Sequence, residues 1–179
     1  MIAPSEVTYD PDAFIASGSP FPSREGSLRT TMSFGGRVSI SAQADHRGGQ
    51  ELLNEVALRR CWFEPRCVEQ HDPATPLAAQ AAAVAARANS RMVSEYIEDA
   101  SYTKLREVSV AIALPRQWAA MAGTSRARLT LTGRNLFTWT SYSGLDPEII
   151  STAYDGVLAS GGFYQPPLRS FAARVDLSW

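Results

Sequence analysis

The sequence predicts an all-β chain of antiparallel, up-and-down strands with one helical insertion. Three observations predict it. Apolar and polar residues alternate with period two over five stretches. Glycine or proline marks the ends of those stretches. One long segment after the second stretch drops the alternation and turns alanine-rich.

Residues 1–25 contain Pro4, Pro11, Pro20 and Pro22 and read as loop or linker. Ala16-Ser17-Gly18-Ser19-Pro20-Phe21-Pro22 continues neither a helix nor a central strand. The rest, 26–179, reads as one sheet-forming segment. A first strand is expected over about 27–34, with Leu28, Thr30, Met32 and Phe34 on one side and Ser27, Arg29, Thr31 and Ser33 on the other. Gly35-Gly36 breaks it. A second strand, about 38–46, places Val38, Ile40, Ala42 and Ala44 against Arg37, Ser39, Ser41, Gln43 and Asp45. Phe34 and Val38 keep the same parity, which suits a three-residue hairpin loop better than a two-residue one.

Alternation then stops at Arg47-Gly48-Gly49, and 47–98 is expected to be a long loop with helix in it. Residues 50–60 have helical character. Thr75 looks like an N-cap with Pro76 at the first helical position, and Leu77 to Ala88 follows as a helix by propensity. Such a connection far exceeds the usual ~4–6 residues.

A third strand is expected over about 101–114. Val108, Val110, Ile112 and Leu114 alternate with Glu107, Ser109, Ala111 and Ala113, but nearer its start the same parity carries Tyr102, Lys104 and Arg106. Pro115 stops it, and 116–123 is a short turn with room for one helical turn, closed by Gly123. The fourth strand, about 126–140, is the most regular. Ala127, Leu129, Leu131, Gly133, Asn135, Phe137 and Trp139 share one face. Arg126, Arg128, Thr130, Thr132, Arg134, Leu136, Thr138 and Thr140 share the other. A loop over 141–167 holds Gly144, Pro147, Gly156, Gly161 and Gly162. The last strand, about 168–179, sets Phe171, Ala173, Val175, Leu177 and Trp179 against Ser170, Ala172, Arg174, Asp176 and Ser178.

Composition bounds the function classes. The 179 residues are 45% hydrophobic and 20% charged, with a net charge of -1. That gives no sign of disorder and no basic footprint for nucleic acid. No apolar run reaches the ~18 residues of a membrane helix. A barrel strand needs only ~9–11 residues, every second one apolar, so a mean hydropathy of -0.16 is compatible with a membrane barrel. The opening MIAPSEVTYD is no secretory leader. As a complete protein the chain would be expected to stay in the cytoplasm; as the tail of a longer one it would need no leader.

Two readings of the alternation share one period. A soluble sheet turns its apolar face inward, whereas a membrane barrel turns it toward lipid and lines a wet lumen with the polar face. Three features favour the arc of a large transmembrane β-barrel. Connections alternate between short and long, as periplasmic turns and external loops do. The polar face carries Arg29, Arg37, Arg126, Arg128, Arg134 and Arg174, of which Arg128, Arg134 and Arg174, with Asp176, are the candidates for lumen contacts with a substrate. Phe137, Trp139, Phe171 and Trp179 fit an interfacial aromatic girdle. The rival is a soluble β-rich ligand-binding protein with a helical insertion.

At Glu98-Asp99-Ala100-Ser101-Tyr102-Thr103-Lys104-Leu105-Arg106-Glu107-Val108-Ser109-Val110, ending in Leu114-Pro115, the chain resembles TonB-dependent outer-membrane receptors of the SusC/RagA type. The likeness continues through Leu131-Thr132-Gly133-Arg134-Asn135-Leu136-Phe137-Thr138-Trp139-Thr140 and Tyr142-Ser143-Gly144-Leu145-Asp146-Pro147-Glu148. It closes with Gln165-Pro166-Pro167-Leu168-Arg169-Ser170-Phe171 and the aromatic end. It covers 98–179 well and 17–49 more loosely. The resemblance implies a C-terminal fragment of a barrel of about 22 strands with an N-terminal plug. The parent would import glycans, peptides or chelates, driven by TonB. It implies as partners the outer-membrane bilayer, TonB, the barrel-assembly machinery at the last strand and a surface lipoprotein. One departure bears on assembly: the family's terminal pattern places Gly and a polar residue where this chain has Arg174 and Ala172, while Leu177 and Trp179 keep the apolar-aromatic ending.

No catalytic motif accompanies this pattern: there is no G-x-S-x-G, no phosphate-binding loop, no dinucleotide fingerprint and no H-E-x-x-H. An enzyme and a cofactor are therefore not expected. Asp146 and Glu148 flank Pro147 and read as turn chemistry. Cys61 and Cys67 lie six apart; no zinc site is completed by His46 or His71, so no metal is expected. In an exported protein the two cysteines would suit a local disulfide.

Overall fold

A computed structural model of the chain describes residues 1–7, 18–63, 67–88, 93–150 and 164–179. Pro11, Ala16, Ser17, Gly156, Gly161 and Gly162, named above in the loops, lie outside the described residues. In chain order the elements are β1 (Arg24–Phe34), β2 (Val38–Gly48), β3 (Glu51–Leu53), α1 (Glu55–Phe63), α2 (Leu77–Ala88), β4 (Ile97–Asp99), β5 (Tyr102–Ala113), α3 (Arg116–Met121), β6 (Arg126–Thr140) and β7 (Ser170–Ser178). The chain divides into two compact units. One gathers Met1–Ser23, Gly48–Ser101 and Ser141–Pro166; the other holds Arg24–Arg47, Tyr102–Thr140 and Pro167–Trp179.

The second unit is a five-stranded antiparallel sheet in the order β1-β2-β5-β6-β7, open at both edges among the described residues. The β1–β2 connection has three residues. Gly35 and Gly36 both take positive φ, 54° and 64°, and the Arg37 N–H donates to the Phe34 carbonyl at 3.1 Å. Side chains on a residue pair in this conformation would be strained, which is why two glycines stand there. At the opposite strand pair, α3 fills the β5–β6 turn. It ends on Gly123 at φ 68°, and Thr124 donates both its N–H and its hydroxyl to the Ala119 carbonyl.

Register settles which residues share a face. Leu129 stands opposite Val175 and Ile112, and Leu131 opposite Ala173 and Val110. Val38, Ile40 and Ala42 continue that row opposite Ile112, Val110 and Val108. Thr130, Thr132 and Arg128 oppose Arg174, Ala172 and Asp176 on the other side.

Two expectations within the strands need correction. The parity carrying Tyr102, Lys104 and Arg106 onto the apolar face is broken by a β-bulge at Arg106. Gln43 pairs with Glu107, and the next residue, Ala44, pairs with Leu105. The skipped residue flips the strand, so Leu105 and Thr103 join the apolar row and Lys104 and Tyr102 the polar one. In β6, Arg134 pairs with Glu107 and Phe137 with Leu105, leaving Asn135 and Leu136 as a two-residue insertion, with Asn135 at φ 52°. Two extra residues preserve parity, so Phe137 and Trp139 keep the apolar face. Asn135 leaves it, and Leu136, expected on the polar side, reaches within 3.0 Å of where a Cβ on Gly133 would sit.

Among the described residues, the sheet's apolar face has no covering layer. Leu131 is 47% exposed, Val175 59% and Phe171 77%. A soluble sheet would cover such side chains, since burial stabilises each by ~1.5–3 kcal/mol.

The buried core lies instead in the first unit. Leu53, Leu58, Ala86 and Val93 form one cluster with Tyr96 and Ile97 against it; Leu52, Ala100 and Tyr142 form another. Residues 51–53, read from sequence as helical, are strand: β3 pairs with β4 from Glu51–Asp99 to Leu53–Ile97. Helix begins only after Asn54, whose Oδ1 accepts the Ala57 N–H at 3.0 Å as an N-cap. Pro76, expected as the first helical residue, precedes α2, and its carbonyl accepts the Gln80 N–H. Strand limits also shift from those expected: β1 starts at Arg24, β2 runs to Gly48 and β7 starts at Ser170.

Candidate functional site

The polar face of the sheet is a field of paired charges. Arg134 Nε donates to Glu107 Oε2 at 2.9 Å across the β5–β6 pair. Arg106, turned to this face by its bulge, donates to Asp45 Oδ2 at 2.8 Å, and Ser27 Oγ donates to the other oxygen at 2.7 Å. Arg47 meets Glu25 at 3.2 Å between β2 and β1. Arg174 Nε donates to Asp176 Oδ1 at 2.7 Å along β7, and Arg128 stands directly opposite Asp176. The exposed pairs among these contribute only ~0–1 kcal/mol each. Their effect is to hold an alternating array of cations and anions on one wetted surface.

Of the four lumen candidates, the structure brings Arg128, Arg174 and Asp176 together and puts Arg134 separately on Glu107. The sequence reading missed the anionic partners Glu107, Asp45 and Glu25. The signal was present at Arg106: a cation in the apolar parity, beside Leu105, marks a bulge.

The opposite face carries the four girdle candidates. Phe137 and Trp139 stack with ring centroids 5.9 Å apart. Phe171 lies across Gly133, and Trp179 is 86% exposed at the end of the last strand. Arg169, which sequence reasoning passed over, places its guanidinium 5.3 Å from the Phe137 ring centroid.

The first unit holds a polar lock. Asn54 Nδ2 donates to Glu98 Oε1 at 2.9 Å and to Ser143 Oγ at 2.8 Å, and the Ser143 N–H donates to Glu98 Oε2 at 2.7 Å. Beside it Tyr142 is buried, its hydroxyl donating to the Leu53 carbonyl at 3.4 Å. Burial, reinforced by Glu98 and Glu55, pushes its phenol up to about 12. Burial, with Glu69, does the same for Tyr96. Asp146 accepts the Glu148 N–H at 2.9 Å in an Asx turn. Cys61 and Cys67 are bonded as a disulfide that joins the end of α1 to the following segment. Glu69 closes a cluster with the two sulfurs, but bonded sulfurs are not the thiolates a metal would take.

Among the described residues the sheet is one antiparallel layer, uncovered on its apolar side, ion-paired on its polar side and unclosed: an arc of a β-barrel wall. Proteins similar to the chain are TonB-dependent receptors. It is 40% identical over 58 residues to TonB-dependent receptor P3 of Formosa agariphila, a stretch that is 32% of this chain and 6% of that protein. It is 34% identical over 64 residues to TonB-dependent receptor P26 of the same organism, covering 36% and 6%. The chain thus spans a small fraction of the curated relatives it matches. No family model matches it. Its fold is that of part of the RagAB peptide importer. The closed-closed state gives a TM-score of 0.67 at 20% identity over 96% of this chain and 19% of that one. The open-open state gives 0.68 over the same shares. Both comparisons agree with the TonB-dependent receptor, SusC/RagA-type resemblance carried by 98–179.

Proposed function

We propose that the chain is the C-terminal wall of a TonB-dependent outer-membrane receptor that imports a nutrient (a peptide, a glycan or a chelate) with energy delivered through TonB. The bare apolar face carries this reading. On β6, Ala127 and Trp139 are the first and last apolar-face positions. Discounting the two-residue bulge, about ten steps of ~3.3 Å separate them, so ~33 Å of strand tilted by ~40° spans ~25 Å, the height of an outer-membrane barrel's apolar band.

In this reading the short β1–β2 and β5–β6 turns face the periplasm and the first unit supplies external loops. Arg128, Arg134, Arg174 and Asp176 face the aqueous lumen; Phe137, Trp139, Phe171 and Trp179 form the girdle. The last strand addresses the barrel-assembly machinery, and a surface lipoprotein is the external partner. The role is transport, without catalysis or a cofactor. A soluble ligand-binding protein is disfavoured by the same face, which has no covering layer among the described residues.

Fractionation of cells that make the protein tests this. The account expects it in the outer membrane, resistant to carbonate extraction, and expects deletion of its gene or of tonB to abolish growth on one of the three nutrient classes. Recovery in the soluble fraction would overturn it.

A further inference from the structure

From the uneven charge of the polar face we infer a binding site for a linear polycarboxylate, held by Arg126, Arg128 and Arg174 near the β5–β6 turn; this deepens the transport reading proposed above and rests on it. Away from that turn, arginines and carboxylates pair one to one: Arg47 with Glu25, Arg106 with Asp45 and Arg134 with Glu107. At the turn end the arginines outnumber their partners. Asp176 is the one acidic side chain on these rungs of β6 and β7, and it already accepts two donors of Arg174, Nε at 2.7 Å and Nη2 at 2.5 Å. The cross-strand neighbours of the other two arginines are all described. Arg126 faces Ser178, and Arg128 stands between Asp176 and Ala113. Arg37, whose carbonyl accepts the Ala113 N–H at 2.8 Å, adds a further cation at that level of the sheet.

Backbone register fixes the spacing. Arg126 and Arg128 are two residues apart on one side of β6, so their side chains leave the strand ~6.7 Å apart. Arg174 faces Thr130, which makes it the diagonal neighbour of Arg128 at ~7–8 Å. All three are exposed, the Arg174 side chain by 76%. A row of guanidinium groups at this interval matches carboxylates that recur at the same interval, as alternate side chains of an extended acidic peptide do. The acid groups of an oligouronate offer the same chemistry on a stiffer chain. Each contact is a forked, charge-assisted one, and a single small anion cannot reach three arginines at once.

In the transport reading this row lies on the wetted wall near the periplasmic turns, where cargo leaves the lumen. Uncompensated cations on such a wall concentrate anions beside them. The cargo that this part of the wall serves is therefore acidic.

The test uses the full chain refolded into phosphatidylcholine vesicles, which carry no net charge of their own. Binding of fluorescent oligoglutamate, oligogalacturonate and oligolysine of equal length is read by anisotropy, and membrane integration is scored separately by flotation. One or both acidic probes should bind, the tighter one naming the source of the carboxylates, and oligolysine should not. Binding should fade with rising salt. Arg126→Gln/Arg128→Gln should weaken it at least about tenfold, and Arg126→Lys/Arg128→Lys less. Asp176→Asn, which frees Arg174, should strengthen it several-fold. Arg47→Gln, at the far end of the face, removes the same charge and should leave it unchanged. Chains that float normally yet bind neither acidic probe, or lose as much in Arg47→Gln as in one of the two paired sites, would overturn the polycarboxylate site and leave the membrane reading standing. Failure of the wild-type chain to float would instead sink the membrane reading.

Discussion

Placing an arginine at position 131 or at position 132 separates the two faces of one strand. Leu131 lies about four steps along the roughly ten that separate Ala127 from Trp139. At ~3.3 Å per step and ~40° of tilt this puts it ~10 Å into a ~25 Å band, close to the midplane. Leu131→Arg should therefore cost ~2–4 kcal/mol, a factor of roughly 30 to 1,000 in the folded-to-unfolded ratio. Thr132→Arg, one residue on and opposite Ala172, adds a cation to a face that already carries paired charge, and should stay within ~0.5 kcal/mol. Guanidinium titration of both variants refolded into phospholipid vesicles, followed by tryptophan fluorescence, reads the difference. Equal costs, or the larger cost at position 132, would refute the assignment of faces.

Further outcomes concern the first unit and the sheet edges. Opening Cys61–Cys67, which closes a short loop, should cost the first unit about 2 kcal/mol; hydrogen exchange should show α1 deprotected and β5 and β6 unchanged. Asn54→Ala removes a helix cap and two bonds to Glu98 and Ser143, and should cost the same unit ~1–3 kcal/mol by the same measurement. Tyr142 should ionise with a midpoint near 12 in ultraviolet titration. Because its folded pKa is raised above the ordinary value near 10, the stability it contributes is full below pH ~10 and is lost as pH climbs toward 12. With the outer edges of β1 and β7 open among the described residues, the chain in detergent-free buffer should associate. A monomer with a sharp reversible melt, seen by sedimentation and calorimetry, would count against an open arc.

Much of the sheet was legible because period two is a local property. Phe34 and Val38 sharing parity across Gly35-Gly36 favoured the three-residue turn over a two-residue one, and the run from Ala127 to Leu131 defined the face without help from tertiary structure. The bulge at Arg106 was written in the sequence only as a contradiction, a cation in an apolar row, and its resolution needed the Asp45 partner on a neighbouring strand. The insertion at Asn135–Leu136 left no trace in the alternation, since two extra residues restore parity. Short β3 and β4 were illegible: three-residue strands have no period, and Glu51–Leu53 is strand because its backbone meets Ile97–Asp99, far along the chain. Arg169 fell inside the strand expected over about 168–179, where odd parity put a cation in the apolar row unremarked; in the structure β7 starts only at Ser170.

The direction in which the apolar row faces decides the account, and nitroxide scanning measures it. Single cysteines are placed at Leu129, Leu131, Val175 and Leu177, and at Thr130, Thr132, Arg174 and Asp176, in a Cys61→Ser/Cys67→Ser background reconstituted in bilayers. The account predicts that labels on the first set collide with oxygen dissolved in the hydrocarbon and labels on the second with a water-soluble nickel chelate, alternating residue by residue. Labels of the first set shielded from both reagents, as inside a dry protein core, would contradict it.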